Sequence, residues 1–231
     1  MKSLPRPAAL IETGWPSRST RAFRRDLLEG AAPHRIAAGQ YLYHAGDEPG
    51  GLWGIETGSV ALEFALSDRL MRSGFVLHRG HWLGEGPILD GRVRAVGVRA
   101  LQESVFFGVP ISRLRGLVSR KPEYWREFGR LALEHYDLAA GIAADGMIPE
   151  GRRRFLAVLM RLSGLRDSTP PADPEVNLSR EELGAVANLS RNSLTPILRD
   201  LEAKGAIALG YRSLRVIDPV MLGVMSRQAN R

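Results

Sequence analysis

The stretch LSREELGAVANLSRNSLTPILRDLEAKGAIALGYRSLRVIDPVML, Leu178 to Leu222, decides how the rest of the chain is read. Ser179 and Glu182 form Ser-x-x-Glu, a capping box that satisfies orphan amides at a helix start, so a helix opens there and runs to about Ala187. Asn188 follows where the chain must reverse, and asparagine tolerates the left-handed backbone of such a turn. Ser190 caps a second helix, whose Leu194, Ile197, Leu198 and Leu201 fall at i, i+3, i+4 and i+7 and give it a core face. Gly184 is small enough for the two helices to cross closely, and the pair forms a helix-turn-helix. Lys204-Gly205 ends the second helix. Ala206–Leu209 and Ser213–Ile217, on either side of Gly210-Tyr211-Arg212, read as a two-stranded wing.

A helix of this kind fits the major groove with its N-terminal residues at the base edges, while nearby cations and helix starts hold phosphates. Arg191 suits a bidentate guanine contact, Asn192 an adenine or a phosphate, and Ser193, Thr195, Arg199, Tyr211 and Arg212 the DNA backbone. Ser179, Arg180 and Ser190, at the helix starts, complete the candidate DNA-binding set. Pro196 removes an intrahelical hydrogen bond and predicts a kink in the second helix.

Upstream, from about His34 to Val109, glycines at 39, 46, 58, 80 and 91 punctuate short apolar or alternating stretches: Tyr41–Tyr43, Leu52–Glu56, Val60–Leu66, Phe75–His78, Val93–Arg99 and Val105–Val109. Such spacing predicts an antiparallel β domain. From Pro122 to about Ala144 the punctuation stops, and a helix of roughly 34 Å is expected. Tyr124, Phe128, Leu131, His135, Leu138 and Ile142 recur at a/d heptad spacing, and small residues (Gly129, Ala132, Ala139, Ala143) run beside them, interrupted by Tyr136. Two adjacent apolar faces need two covers. The β domain supplies one, and the heptad stripe is assigned to a parallel homodimer interface. Arg152–Arg166 is a further amphipathic helix, and Asp167 to Glu175 a turn-rich connector.

The chain has 231 residues with 44% hydrophobic content, enough for a sizeable core. It has no cysteine, which rules out disulfides, thiolate zinc sites, iron–sulfur clusters and sulfur redox sensing. The formal charge is +7, and of 32 basic residues only three are lysines. Arginine suits phosphate and base edges, although a GC-rich genome produces the same bias. The first twenty residues hold a short apolar run between prolines, too short for a signal peptide or membrane span, and are expected to be a frayed arm on a cytoplasmic protein. His44, His78 and His81 lie in the β domain without a convincing metal-ligand spacing, and neither haem nor metal is expected. No P-loop, dinucleotide fingerprint, HExxH or Gly-x-Ser-x-Gly occurs, and no nucleophile–base pair suggests an enzyme.

Leu178 to Leu222 closely resembles the winged helix-turn-helix of the Crp/Fnr family of bacterial transcription regulators, including the Ser190-Arg191 start of the recognition helix. AAGQYLYHAGDEPGGLWGIETGSVAL (Ala37 to Leu62) and HWLGEG (His81 to Gly86) resemble that family's cyclic-nucleotide-binding-type β-roll. The resemblance implies an α+β fold: an arm over 1–20, an antiparallel β-roll sensor domain over 21–110, a dimerisation helix region over 111–147 and a winged helix-turn-helix DNA-binding domain over 148–231. It implies a homodimer on an inverted-repeat operator in double-stranded DNA, with RNA polymerase as a further partner of an activator and no membrane role. The chain departs from the family at Asn192, commonly acidic, and at Pro196, often basic or polar.

In family members that bind cyclic nucleotides, a Gly-Glu pair opens a short helix and an arginine followed by Ser or Thr holds the phosphate. Here Gly84, Glu85, Gly86 and Arg94 occupy those places, but Ala95 replaces the hydroxyl residue, which weakens the expected cyclic nucleotide site. The other readings of this turn are a different small effector bound in the β-roll and a structural turn, with Arg94 in an ion pair to Glu85 or Asp90. Trp53 and Trp82 either line a pocket or fill the core. A rival for the whole chain is a ligand-binding regulatory module whose winged helix contacts protein in place of DNA.

Overall fold

The structure is a computed structural model and describes residues 7–65, 71–166, 170–171 and 173–228. Among the described residues eight strands lie between Ala32 and Pro110: β1 (Ala32–Ile36), β2 (Tyr41–Tyr43), β3 (Gly51–Thr57), β4 (Ser59–Ala65), β5 (Met71–His78), β6 (Trp82–Leu83), β7 (Gly97–Ala100) and β8 (Ser104–Pro110). They form two sheets, ordered β1-β8-β3-β6 and β2-β7-β4-β5, the layout the turn spacing predicts. All six expected stretches contain a strand, although Leu66 lies outside the described residues. β7 begins later than expected because Arg94 is held in the preceding loop, its amide donating to Asp47 O at 2.9 Å. β1 escaped notice because Pro33 interrupts its pattern, and β6 because it has only two residues. Pro33 is tolerated because β1 is an edge strand.

Around the sheets lie α1 (Ala8–Glu12), α2 (Arg21–Leu28), α3 (Gly86–Asp90), α4 (Ile111–Arg120) and α5 (Trp125–Gly146), the last entered through a 3-10 turn at Pro122–Tyr124. The C-terminal part holds α6 (Gly151–Leu162), β9 (Glu175–Val176), α7 (Arg180–Val186), α8 (Arg191–Ala203), β10 (Ile207–Gly210), β11 (Ser213–Val216) and α9 (Pro219–Gln228). The chain divides into two units, residues 1–71 with 77–137 and residues 72–76 with 138–231. Among the described residues no helix is long and apolar enough to cross a membrane.

From Pro7 to Thr20 the arm is not frayed. Residues 1–6 lie outside the described residues, but Ala9, Leu10 and Trp15 are buried. The buried Glu56 carboxylate accepts from the amides of Ala9 and Leu10 at 3.0 and 3.3 Å, capping α1 from β3. Trp15 donates from Nε1 to Glu127 O at 2.8 Å, and its ring meets Phe23 and Trp82 edge-on at 5.3 and 5.8 Å. These partners are distant in sequence, so nothing local announces them. Trp82 is a core residue, while Trp53 is half-buried and tilts against His34 at 5.6 Å.

The heptad stripe also needs correction. Tyr124, Phe128 and Leu131 are 5%, 0% and 2% exposed, within the same core as Leu10, Trp15, Phe23, Trp82 and Leu114. The first half of the face assigned to a partner subunit is therefore covered by the chain's own first unit. Periodicity identifies an apolar face without identifying its cover. Leu138 and Ile142 are half-buried, and Ile142 lines a small cavity of the second unit with Phe75, Val158 and Leu162. Among the exposed apolar positions of α5 and its end, Leu133 (62%), Tyr136 (67%), Ala140, Ala143 and Met147 (80%) fall at steps of 3, 4, 3 and 4; Trp125, Ala139 and Ala144 are exposed as well.

In the second unit, α6 buries Phe155, Val158, Leu159 and Leu162 as its periodicity requires. Asp145 is buried with both carboxylate oxygens paired, to Arg161 Nε and Arg166 Nη1 at 2.8 Å each. The connector yields a strand that sequence reading missed: β9 joins the wing in the order β10-β11-β9, with residues 167–169 and 172 outside the described residues.

Candidate nucleic-acid interface

Local capping chemistry sets the helix-turn-helix. Glu182 N donates to Ser179 Oγ at 3.2 Å, and Ser179 N donates to Glu182 Oε2 at 2.7 Å, completing the capping box. The turn passes through Asn188 at φ +49°, the left-handed conformation expected of it. Leu189 N donates to Gly184 O at 2.8 Å, and a Cβ on Gly184 would stand 2.9 Å from the Leu189 carbonyl oxygen, so the turn needs a glycine there. Ser190 Oγ accepts from Ser193 N at 3.2 Å and starts α8. Behind the turn, Arg154 of α6 donates to the carbonyls of Ala187, Asn188 and Ile148 at 2.7, 3.0 and 2.6 Å. This cross-brace was missed because neither the arginine nor the carbonyls form a sequence motif.

Of the candidate DNA-binding residues, Arg180, Arg191, Asn192, Ser193, Arg199, Tyr211 and Arg212 are exposed, and Thr195 is half-buried. Arg191, Asn192, Thr195, Pro196 and Arg199 together line an open groove of about 630 Å³ along α8. Ser179 and Ser190 spend their hydroxyls as helix caps. At the wing tip Tyr211 is 94% exposed, and Arg212 pairs with Glu182 Oε2 at 3.2 Å. α8 continues through Pro196 to Ala203, held by the buried Leu194, Ile197, Leu198 and Leu201.

The Gly84–Ala95 turn has a different character. Arg94 is 4% exposed; its Nη2 donates to Gly51 O at 2.7 Å, its Nη1 to Gly84 O at 3.3 Å, and the guanidinium stacks 4.2 Å from the Tyr43 ring centroid. Its Nε is buried without a hydrogen-bond partner. A Cβ on Gly84 would collide with Arg94 Nη1, so the glycine makes room for the arginine. Burial pushes the Tyr43 phenol up. Arg94 pairs with neither Glu85 nor Asp90: Asp90 pairs with Arg92, and Glu85 accepts from His135 of α5. Glu85 precedes α3, Gly86 begins it, and Ala95 is exposed. His135, expected in the subunit seam, is thus turned into its own unit. His81 Nδ1 lies 3.0 Å from His78 O. Among the described residues no group of three or more His, Asp or Glu side chains is placed to hold a metal.

A two-sheet β domain, a long helix and a winged helix-turn-helix with an exposed, arginine-lined recognition helix define a DNA-binding transcription regulator. Residues 33–121 match the cyclic nucleotide-binding domain family, and residues 153–224 match the Crp-like helix-turn-helix domain family. The chain belongs to the Crp/Fnr family of transcription regulators. It is similar to the transcriptional regulatory protein btr of Bordetella pertussis, 24% identical over 190 residues, covering 80% of this chain and 76% of that protein. It is also similar to the cAMP-activated global transcriptional regulator CRP of Salmonella typhimurium, 22% identical over 185 residues, covering 79% and 88%. Its fold resembles the solved structure of the c-di-GMP responsive global regulator CLP of Xanthomonas campestris, with a TM-score of 0.65, 18% identity and coverage of 86% and 100%.

Proposed function

We propose that the protein is a homodimeric, sequence-specific regulator that places two α8 helices in successive major grooves of an inverted-repeat operator, half-sites about 34 Å apart. The supporting observation is the open groove on α8, where Arg191, Asn192, Thr195 and Arg199 stand together on a helix braced by Arg154. Arg191 reads a guanine; Arg180, Arg199 and Tyr211 contact phosphates, and Arg212 joins them when it leaves Glu182. A DNA partner places the protein in the cytoplasm. The dimer forms through the exposed stripe Leu133, Tyr136, Ala140, Ala143 and Met147, whose spacing repeats the heptad.

The β-roll turn as arranged lacks part of a cyclic nucleotide site, although Arg94 Nε is buried without a partner. Arg94 spends both terminal nitrogens on carbonyls, Glu85 is held by His135, and Ala95 supplies no hydroxyl. DNA binding accordingly needs no cyclic nucleotide.

Selection of bound duplexes from a random library tests the whole reading. An enriched palindrome with steep salt dependence is expected; a flat salt response without enrichment favours protein contacts by the winged helix. On the selected duplex, Arg191→Ala should cost about 1–3 kcal/mol at one base position, and a uniform loss over all sequences would make Arg191 a phosphate contact.

A further inference from the structure

Pro196 lies inside α8, between Arg191 and Ala203. Proline has no N–H, so the carbonyl of Asn192, four residues back, loses the donor the helix would otherwise supply, and the ring crowds that carbonyl. In a packed helix this leaves a buried acceptor. Here Asn192 and Pro196 are both exposed, and both line the groove with Arg191, Thr195 and Arg199. The neighbouring Arg191 carbonyl is already used, accepting from Thr195 Oγ1 at 2.7 Å. The same face therefore joins, at Asn192 and Pro196, a backbone carbonyl deprived of its helical donor and one flat apolar ring, with Arg191 and Arg199 lining the groove beside them.

That combination has a counterpart in DNA. In the major groove an A·T pair offers the N6 amine of adenine as a donor and the C5-methyl of thymine as an apolar knob. A G·C pair likewise offers one amine, the N4 of cytosine, beside two acceptors, but it has no methyl, so the ring's contact with the thymine methyl is what separates the two pairs. Arg191 and Arg199 carry only donors, so they suit guanine or phosphate and do not duplicate this contact.

We propose that Pro196 makes the recognition helix select an A·T pair, its ring packing on the thymine methyl while the Asn192 carbonyl accepts from the adenine N6 amine. The inference rests on the DNA-binding reading of α8 and adds to it the base that this position reads.

The test uses the full-length protein and the duplex enriched by selection. Each thymine of a half-site is replaced in turn by deoxyuridine, which lacks the methyl, and each adenine by deoxynebularine, which lacks the amine. One base pair should respond to both, each replacement weakening binding about fourfold, the worth of one methyl-sized burial or one neutral hydrogen bond. Pro196→Ala restores the N–H and removes the ring, and alanine is the better helix former, so the variant keeps the fold. It should still bind the duplex while losing both sensitivities at that pair. Insensitivity of every thymine and adenine, or both sensitivities surviving in Pro196→Ala, overturns the inference and leaves the regulator reading standing. Failure to enrich any duplex instead overturns the regulator reading and the inference with it.

Discussion

His135 Nδ1 lies 2.7 Å from Glu85 Oε1, while His135 Nε2 lies 3.0 Å from the Trp82 carbonyl oxygen. Both partners are acceptors, and only the imidazolium donates from both ring nitrogens. The contact thus joins the turn before α3 to α5 through a protonated histidine.

The stability of this link should follow pH. Burial opposes the charge on His135, but the Glu85 hydrogen bond and charge, with the Trp82 carbonyl and Glu134, carry its pKa above the ordinary 6.5. Burial opposes the charge on Glu85 too, and His135 outweighs it, holding that carboxyl below 4.5. The other titratable groups facing the pair are His81, which burial holds down to about 4, and Tyr43, pushed up by burial. A pKa raised on folding stabilises fully below the unfolded value and is lost as pH climbs through the folded value; a lowered carboxyl pKa acts in the opposite sense. The pair is therefore strongest between the unfolded values of Glu85 and His135 and weakens above the latter. Urea unfolding should show wild type more stable than His135→Gln by about 1–3 kcal/mol near pH 6, with the gap narrowing toward about pH 9. A gap constant across that range would mean that protonation plays no part.

Two faces of α5 should answer differently to substitution. Leu133→Glu or Tyr136→Glu puts charge into the exposed stripe and should shift sedimentation from dimer to monomer with the unfolding midpoint of the isolated subunit unchanged. Phe128→Ala should destabilise the subunit itself by about 3–5 kcal/mol, the usual toll of truncating a buried phenylalanine. A Leu133→Glu protein that remains dimeric places the interface elsewhere.

Cyclic AMP and cyclic GMP should leave operator affinity within about twofold, a change below 0.5 kcal/mol. Calorimetry on wild type and Arg94→Ala gives the direct measurement. Binding heat that disappears in Arg94→Ala, together with a tenfold or greater gain in operator affinity, would show that the turn rearranges to accept the ligand.

Asp145 anchors two arginines in the second unit, and Arg161 is as buried as Asp145. Removing one partner of a buried pair leaves the other charge without its compensation, which costs about 3–5 kcal/mol. Asp145→Ala should lower the urea midpoint accordingly, and a shift under about 1 kcal/mol would mean that water replaces the carboxylate.

How far each feature was legible depends on the distance over which its cause acts. Ser179 and Glu182 are three residues apart, Ser190 caps the amide of Ser193, and Asn188 takes its left-handed turn alone, so the helix-turn-helix was readable residue by residue. The turn spacing of the β domain was readable for the same reason, except where Pro33 broke a strand pattern or a strand had only two residues. The arm was misread because Glu56 and Glu127, which hold it, lie far along the chain.

The sequence by itself determined the order of the modules, the recognition helix and the existence of an apolar stripe on α5, because caps and periodicities are written within one or two helical turns. Only the tertiary structure decided which side of α5 its own core covers, that Glu85 belongs to His135 fifty residues away, and that Arg94 is held by the Gly51 and Gly84 carbonyls. A side chain's spacing states what it can bond to, and only the folded chain states which competitor reaches it first.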